Sequence, residues 1–118
     1  SYTDCLLMTT QIIAELNVEG FHNYPEAPGV VGFLQDRHRH TFRIICRYEV
    51  TDLNREKEIF LCRDDIQAYV TNLYGSPCEF GHMSCEMIAK EILEHFQTEG
   101  MNEVEVWEEH TGGAIVKI

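Results

Sequence analysis

The chain has 118 residues, enough for one domain of ordinary size and too few for two. Twenty Asp and Glu residues against nine Lys and Arg give a net charge of −11. This balance argues against a nucleic-acid or anionic-membrane surface, because both need a basic face. No stretch approaches the ~20 continuous apolar residues of a membrane span, and the start lacks a signal-peptide pattern. We therefore expect a single soluble, cytoplasmic domain over residues 1–118.

The five cysteines form an odd set without short paired spacings, which is a poor pattern for disulfides or a zinc finger. Reduced thiols are the better expectation for all of them: Cys5, Cys46, Cys62, Cys78 and Cys85.

Alternation of apolar and polar residues predicts two long strands in the first half of the chain. From Gln11 to His22 the apolar or small residues stand at even positions, and His22 is in phase with them. The same alternation runs from His38 to Val50 and indicates an antiparallel strand with one solvated face. Prolines and glycines between the two strands predict a connecting loop over residues 23–37.

The sequence pattern in the second half of the chain predicts a short strand, two helices and two final strands. Glu58–Cys62 is short and β-prone, so we expect it to form a hairpin with the preceding strand, followed by a helix from Asp64 or Asp65. The remaining predicted elements are a linker over 78–83, a helix capped by Ser84, and strands over 103–108 and 114–118. This order predicts an α+β fold, an antiparallel sheet of four to five strands with both helices on one face.

Three histidines form a candidate metal site. His38 and His40 are two residues apart on one strand, so both imidazoles leave the same face of the sheet. His22 ends the neighbouring strand in the apolar phase and could supply the third protein ligand of a catalytic zinc site. The alternative is three partly exposed, hydrogen-bonded histidines near strand ends, and the spacing alone leaves both interpretations open.

Glu108 closes a strand in phase with Val104 and Val106, which directs its carboxylate toward the buried side. Such a group is a candidate anchor for a ligand with paired N–H donors, such as a pterin or guanine edge. The alternative, favoured by the pattern alone, is that Glu108 belongs to a solvated acidic surface together with Glu103 and Glu109.

Other candidate side chains have weaker patterns. Cys85 begins a helix, where the dipole lowers a thiol pKa, but a small buried residue is the simpler interpretation. Cys78 and His82 lie in the preceding linker and could reach a site at the sheet edge. Arg43 and Arg47 are expected on a solvated face, pairing with carboxylates or contacting a neighbouring subunit.

Several motifs in order give the chain a resemblance to a known family. They are GFHNYP at 20–25, HRHTF at 38–42, IFLCRDD at 59–65, MSCEMIA at 83–89, VEVWEE at 104–109 and TGGA at 111–114. Together they cover nearly the whole chain from Gln11. On these residues the chain resembles the 6-pyruvoyl-tetrahydropterin synthase and 6-carboxy-tetrahydropterin synthase family of the tunnelling fold.

The resemblance implies a zinc ion held by His22, His38 and His40, and a pterin or purine-type ligand contacted by Glu108 and Ser84. It also implies a homo-oligomer, a hexamer built from two trimers, in which sheets of several subunits close a barrel. Closure would remove the open sheet edges of a lone chain.

The chain departs from the family at the residues that transfer protons. Leu34 stands where family enzymes have a cysteine, and the segment 74–83 contains His82 without a preceding aspartate. Arg39 replaces the glycine of the family's HGH motif. Two functions follow: a zinc-dependent, lyase-like enzyme with His82, Cys78 or Cys85 as the base, or a non-catalytic protein that binds a pterin, deazapurine or nucleotide.

Overall fold

The computed structural model describes residues 8–118, so the prediction for Cys5 lies outside the described residues. A 3-10 helix over Gly29–Gln35 interrupts the first loop, and another over Gln97–Glu99 follows the second α-helix. The regular elements in chain order are β1 Thr10–His22, β2 His38–Val50, α1 Ile59–Tyr74, β3 Cys78–Gly81, α2 Cys85–Phe96, β4 Met101–Glu108 and β5 Gly112–Lys117.

The five strands form one sheet in the order β3-β1-β2-β4-β5. Neighbours β1, β2, β4 and β5 are antiparallel, whereas β3 runs parallel to β1, so the sheet is mixed. The predicted linker over 78–83 was therefore wrong for its first four residues. Cys78 and Phe80 are buried and Glu79 is exposed, which is strand alternation over a segment too short to reveal a period.

The predicted hairpin strand over Glu58–Cys62 was also wrong, because this segment begins helix α1. Glu58 is the N-cap, and its carboxylate accepts a hydrogen bond from the backbone N–H of Leu61 at 2.8 Å. The apolar side chains that suggested a strand are largely exposed, and Cys62 instead begins the buried stripe that continues through Ile66 and Val70.

One face of the sheet packs against both helices, as the sequence predicted. Even-numbered residues from Ala14 to Val18 in β1 and from Phe42 to Tyr48 in β2 form a single buried cluster with both helices, including Ile66 of α1 and Ile88 of α2. No helix among residues 8–118 has the length and apolarity needed to cross a membrane. The described cysteines are buried free thiols: Cys46, Cys62, Cys78 and Cys85.

The opposite face of the sheet carries ion pairs between strands. Arg43 lies 2.9 Å from a carboxylate oxygen of Glu15, and Arg39 lies 2.7 Å from Glu19. Arg47 pairs with both Glu103 and Glu105. The predicted pairing of Arg43 and Arg47 with carboxylates is confirmed.

Strand register gathers the three histidines at one end of the sheet. His22 is directly opposite His38, and His40 is opposite Gly20. A Cβ atom on Gly20 would lie 2.7 Å from the Phe80 ring, so only glycine lets that ring pack against β1 beside His40. The same helix-facing side of the sheet thus changes from apolar residues to imidazoles at its end.

Candidate metal centre

The imidazoles of His22, His38 and His40 form one cluster. One ligand nitrogen from each ring lies within 4.8 Å of the others. The ring centroids are separated by 4.5 Å for His22 and His38, 5.0 Å for His38 and His40, and 5.3 Å for His22 and His40. His22 is buried, at 8% exposure, and the other two rings are half-buried. This arrangement can hold a metal ion through three neutral imidazoles.

Each of the three rings has its Nδ1 atom against an oxygen acceptor. His22 Nδ1 lies 2.9 Å from the carbonyl oxygen of Met83, and His38 Nδ1 lies 2.9 Å from that of Asp36. His40 Nδ1 lies 2.8 Å from Oε2 of Glu109. Because these oxygens only accept hydrogen bonds, each Nδ1 donates to its oxygen, and in a neutral ring this tautomer has its lone pair on Nε2.

The Nε2 atoms of His22 and His40 are buried without a hydrogen-bond partner among residues 8–118. A buried acceptor nitrogen without a partner costs free energy, and metal coordination would satisfy it. The fixed Nδ1–H donors match the outer hydrogen bonds that orient histidine ligands of metals. The three histidines therefore fit a zinc ion by their donor chemistry.

Glu108 places a carboxylate beside the two unpartnered nitrogens. Its Oε1 lies 3.1 Å from His22 Nε2 and its Oε2 lies 3.4 Å from His40 Nε2, contacts that lack the alignment of hydrogen bonds. The His22 ring lowers the pKa of Glu108, and this effect outweighs the burial that would raise it. Burial alone would lower the pKa of His22, but Glu108 and the Met83 carbonyl raise it. The negative charge of Glu108 thus favours a cation beside the Nε2 atoms of His22 and His40.

An open groove of about 960 Å³ adjoins the candidate metal centre. His22, His38 and Glu108 line it, together with the loop residue Leu34. His82 and Ser84, two of the residues predicted for the site, also line it. The Ser84 hydroxyl accepts a hydrogen bond from the Met87 backbone N–H at 3.2 Å, which makes Ser84 the N-cap of α2 as predicted.

The two cysteines named as candidate bases have different positions. Cys78 is 1% exposed within the core and does not line the groove, and burial raises its pKa to about 11. Cys85 does line the groove, but burial, and then Glu108, raise its pKa to about 12. Its Sγ atom lies 3.8 Å from Glu108 Oε1 as a weak donor. Both thiols are therefore protonated near neutral pH, and the structure does not bring Cys78 to the other candidate residues.

Sequence reasoning missed Glu109 as a contributor to the centre and grouped it with the acidic surface. Its backbone has φ of +52°, and its side chain turns to the same end of the sheet as that of Glu108. Adjacent residues of a regular strand point to opposite faces, so no periodic pattern could reveal this. The one signal in the sequence was the turn composition of Thr111, Gly112 and Gly113, which indicates that the strand ends near Glu109.

Comparison of the sequence with known protein families finds no match, and comparison with curated proteins finds none either. Solved structures do match. A 6-pyruvoyl tetrahydropterin synthase from Caenorhabditis elegans has a TM-score of 0.67 and 9% identity, covering 94% of this chain and 96% of that chain. The chain has the 6-pyruvoyl tetrahydropterin synthase fold. This fold was correctly predicted from the motifs, and its α+β architecture with both helices on one face was correctly predicted from the order of the elements.

Two further structures share this synthase fold. A 6-pyruvoyl tetrahydropterin synthase (PTPS) from Plasmodium falciparum has a TM-score of 0.60 and 16% identity, covering 93% of this chain and 99% of that chain. The uncharacterized protein WS1659 from Wolinella succinogenes has a TM-score of 0.59 and 11% identity, covering 93% and 98%. This chain therefore matches nearly the full length of each of the three structures.

Proposed function

We propose that this chain is a zinc-binding protein related in function to the 6-pyruvoyl- and 6-carboxy-tetrahydropterin synthases, acting on or binding a pterin or purine-type ligand. The observation that carries the proposal is the common state of the three histidines. Each holds its Nδ1–H against an acceptor, which leaves Nε2 of His22, His38 and His40 for one ion. We propose that the chain works as one domain, since one buried cluster joins both helices to the sheet.

His22, His38 and His40 would hold the zinc ion, with the open groove on one side of them. Zinc with three protein ligands polarises a carbonyl or hydroxyl oxygen and eases proton removal from the adjacent carbon. The Met83 and Asp36 carbonyls and the Glu109 carboxylate keep the three rings in the tautomer that zinc needs.

Glu108 and Ser84 would contact the ligand. The Glu108 side chain is 32% exposed and lines the groove, and its lowered pKa keeps it ionised near neutral pH. A carboxylate accepts two parallel N–H bonds from the edge of a pterin or guanine ring. Ser84 lies beside it on the groove wall.

For catalysis, His82 would serve as the base in a carbon–oxygen lyase reaction. It lies exposed on the groove wall, whereas the thiols of Cys78 and Cys85 are held protonated. A general base must reach the proton that it removes, and His82 is the candidate with both exposure and a suitable side chain.

A second function, ligand binding without catalysis, is favoured by Leu34. This aliphatic side chain lines the groove at the position where the family resemblance places a cysteine that transfers protons. A groove that keeps its metal ligands and carboxylate but has a hydrocarbon at this position would still bind a pterin.

We also propose that the protein is a homo-oligomer, a hexamer of two trimers. In the single chain, β3 and β5 are the outer strands of an open sheet. Proteins normally protect such strand edges by covering them or by pairing them with another strand. The groove reaches Gly112 and Gly113 on the outer strand β5, where a neighbouring subunit could complete it. A native mass of about 82 kDa, six times 13.7 kDa, would support the hexamer, and a monomer mass would contradict it.

The experiment that tests the ligand is calorimetric titration with pterins and guanine-type compounds. We expect Glu108→Ala to weaken binding about ten- to hundredfold, the equivalent of ~1.5–3 kcal/mol for hydrogen bonds to a charged group. Glu49→Ala, an exposed residue on β2, is the matched control and should bind as the wild type does. Absence of binding by the unmodified protein would contradict the proposal.

Incubation with dihydroneopterin triphosphate, followed by product analysis, separates the two functions. Turnover that disappears in His82→Ala supports the enzyme. Binding of the compound without turnover supports the non-catalytic function.

A further inference from the structure

Two carboxylates that are adjacent in sequence contact opposite nitrogens of one imidazole. Glu108 lies 3.4 Å from Nε2 of His40, on the side left for a metal, while Glu109 lies 2.8 Å from Nδ1. In a regular strand these two side chains would point to opposite faces of the sheet. The left-handed backbone of Glu109, with φ of +52°, breaks the alternation and directs both toward His40.

Glu109 is also fastened to the strand that carries His40. Its Oε1 accepts a hydrogen bond from the backbone N–H of Thr41 at 2.7 Å. Its own backbone N–H donates to the Thr41 carbonyl at 3.0 Å. With both carboxylate oxygens and the main chain engaged, the Glu109 side chain is fixed in one position against the ring.

A non-glycine residue in the left-handed region is uncommon and costs free energy. The surrounding contacts must therefore maintain this conformation, and those of Glu109 are directed to Thr41 and His40. His22 and His38 receive the same support from main-chain carbonyls, which no substitution can remove. Among residues 8–118, His40 is the candidate ligand whose Nδ1 depends on a side chain.

From these contacts we propose that Glu109 is a positioning residue for the metal centre, which holds His40 in the Nδ1–H tautomer and so keeps its Nε2 free to bind zinc. This inference rests on the proposed zinc function and extends it. Glu109 does not touch the metal or the ligand in this role. It acts through His40, as outer carboxylates do in carboxylate–histidine–metal arrangements.

Glu109→Gln separates the positioning role from a structural one. The Gln carbonyl oxygen can still accept from Thr41, which preserves the link between the strands. Its amide NH₂ would face His40 Nδ1 as a donor and favour the tautomer with the proton on Nε2. Glu109→Asn is the second variant, because Asn tolerates the left-handed backbone while its side chain is shorter.

The experiment measures zinc affinity by competition with a chromophoric chelator, and the His40 tautomer by nitrogen NMR of the metal-free protein. We expect Glu109→Gln and Glu109→Asn to bind zinc about 10- to 100-fold more weakly than the wild type. Glu49→Gln makes the same chemical change at an exposed position of β2, the strand that carries His40, and should leave affinity unchanged. The His40 resonances should report Nδ1–H in the wild type and a shift toward Nε2–H in Glu109→Gln.

Zinc affinity of Glu109→Gln within twofold of the wild type would overturn the inference while leaving the zinc site intact. A wild type that binds no zinc would overturn the proposed function itself. If neither variant folds, the wild-type spectrum decides, because a His40 proton on Nε2 contradicts the inference and a proton on Nδ1 supports it.

Discussion

The three histidines of the centre are similar in chemistry but differ in what holds them. His22 and His38 are held by main-chain carbonyls, so their orientation depends on the backbone of the loops around Met83 and Asp36. His40 is held by the side chain of Glu109. Within residues 8–118, the Nε2 atoms of His22 and His40 have no hydrogen-bond partner, and a metal ion could satisfy them.

Glu105 is a nearly buried carboxylate outside the candidate metal centre. It is only 8% exposed, pairs with Arg47, and accepts a hydrogen bond from Trp107 Nε1 at 3.0 Å. Burial alone would raise the pKa of Glu105, but Arg47 and Trp107 outweigh it and lower the pKa. A carboxyl whose pKa is lower in the folded state stabilises the protein above its unfolded pKa, and this stability is lost as the pH falls.

We therefore expect Glu105→Gln to lower the free energy of unfolding by about 1–3 kcal/mol at pH 7. The difference from the wild type should shrink as the pH falls below the unfolded pKa of about 4.3, because the unfolded chain takes up the proton before the folded carboxyl does. Urea denaturation at several pH values measures this, with Glu49→Gln as the exposed control. A difference that stays constant down to pH ~3 would contradict the assigned role of Glu105.

At the scale of elements, the long strands were predictable and the short or irregular pieces were not. β1 and β2 each bury one face, so apolar and polar side chains alternate clearly along their 13 residues. β3 has four residues, and the apolar run at Ile59–Leu61 fits a strand or a helix equally well. In the structure this run is helical, and the Glu58 carboxylate caps the helix by accepting a hydrogen bond from the Leu61 backbone N–H. The spacing of apolar residues gives no information about such a hydrogen bond.

In the candidate site too, the residues on regular strands were predictable from the sequence and those on irregular backbone were not. His22, His38 and His40 were predictable because two of them share a strand face and the third is in phase on the neighbouring strand. Glu109 was not, because its role depends on a left-handed backbone angle. The exclusion of Cys78 from the groove likewise depends on the unpredicted strand β3, which directs this thiol into the core.

Glu58 offers a test of the helix start. We expect Glu58→Ala to lower the free energy of unfolding by about 1 kcal/mol, because the first turn of α1 loses its cap. Asp64→Ala, on the exposed side of the same helix, should change it by less than about 0.5 kcal/mol or raise it. Equal effects of the two substitutions, measured by thermal or urea unfolding, would contradict Glu58 as the helix cap.

In the whole molecule, the two faces of the sheet differ in composition: one is apolar and the other is charged. The helix-facing side forms the core and ends in the imidazole cluster, so packing of both helices positions the candidate metal centre. The other side is covered by interstrand ion pairs, which account for several of the few basic residues in a chain of net charge −11. Excess negative charge around the imidazole cluster favours a cation over an anion there.

The zinc content of the purified protein, determined by elemental mass spectrometry after removal of loosely bound metal, tests the proposed zinc site directly. We expect about one zinc per chain, lost when His22, His38 and His40 are replaced together by alanine. His95→Ala, whose ring stacks on Tyr69, should keep the full content. A wild type with far less than one equivalent, or a triple variant that retains its zinc, would contradict the proposed site.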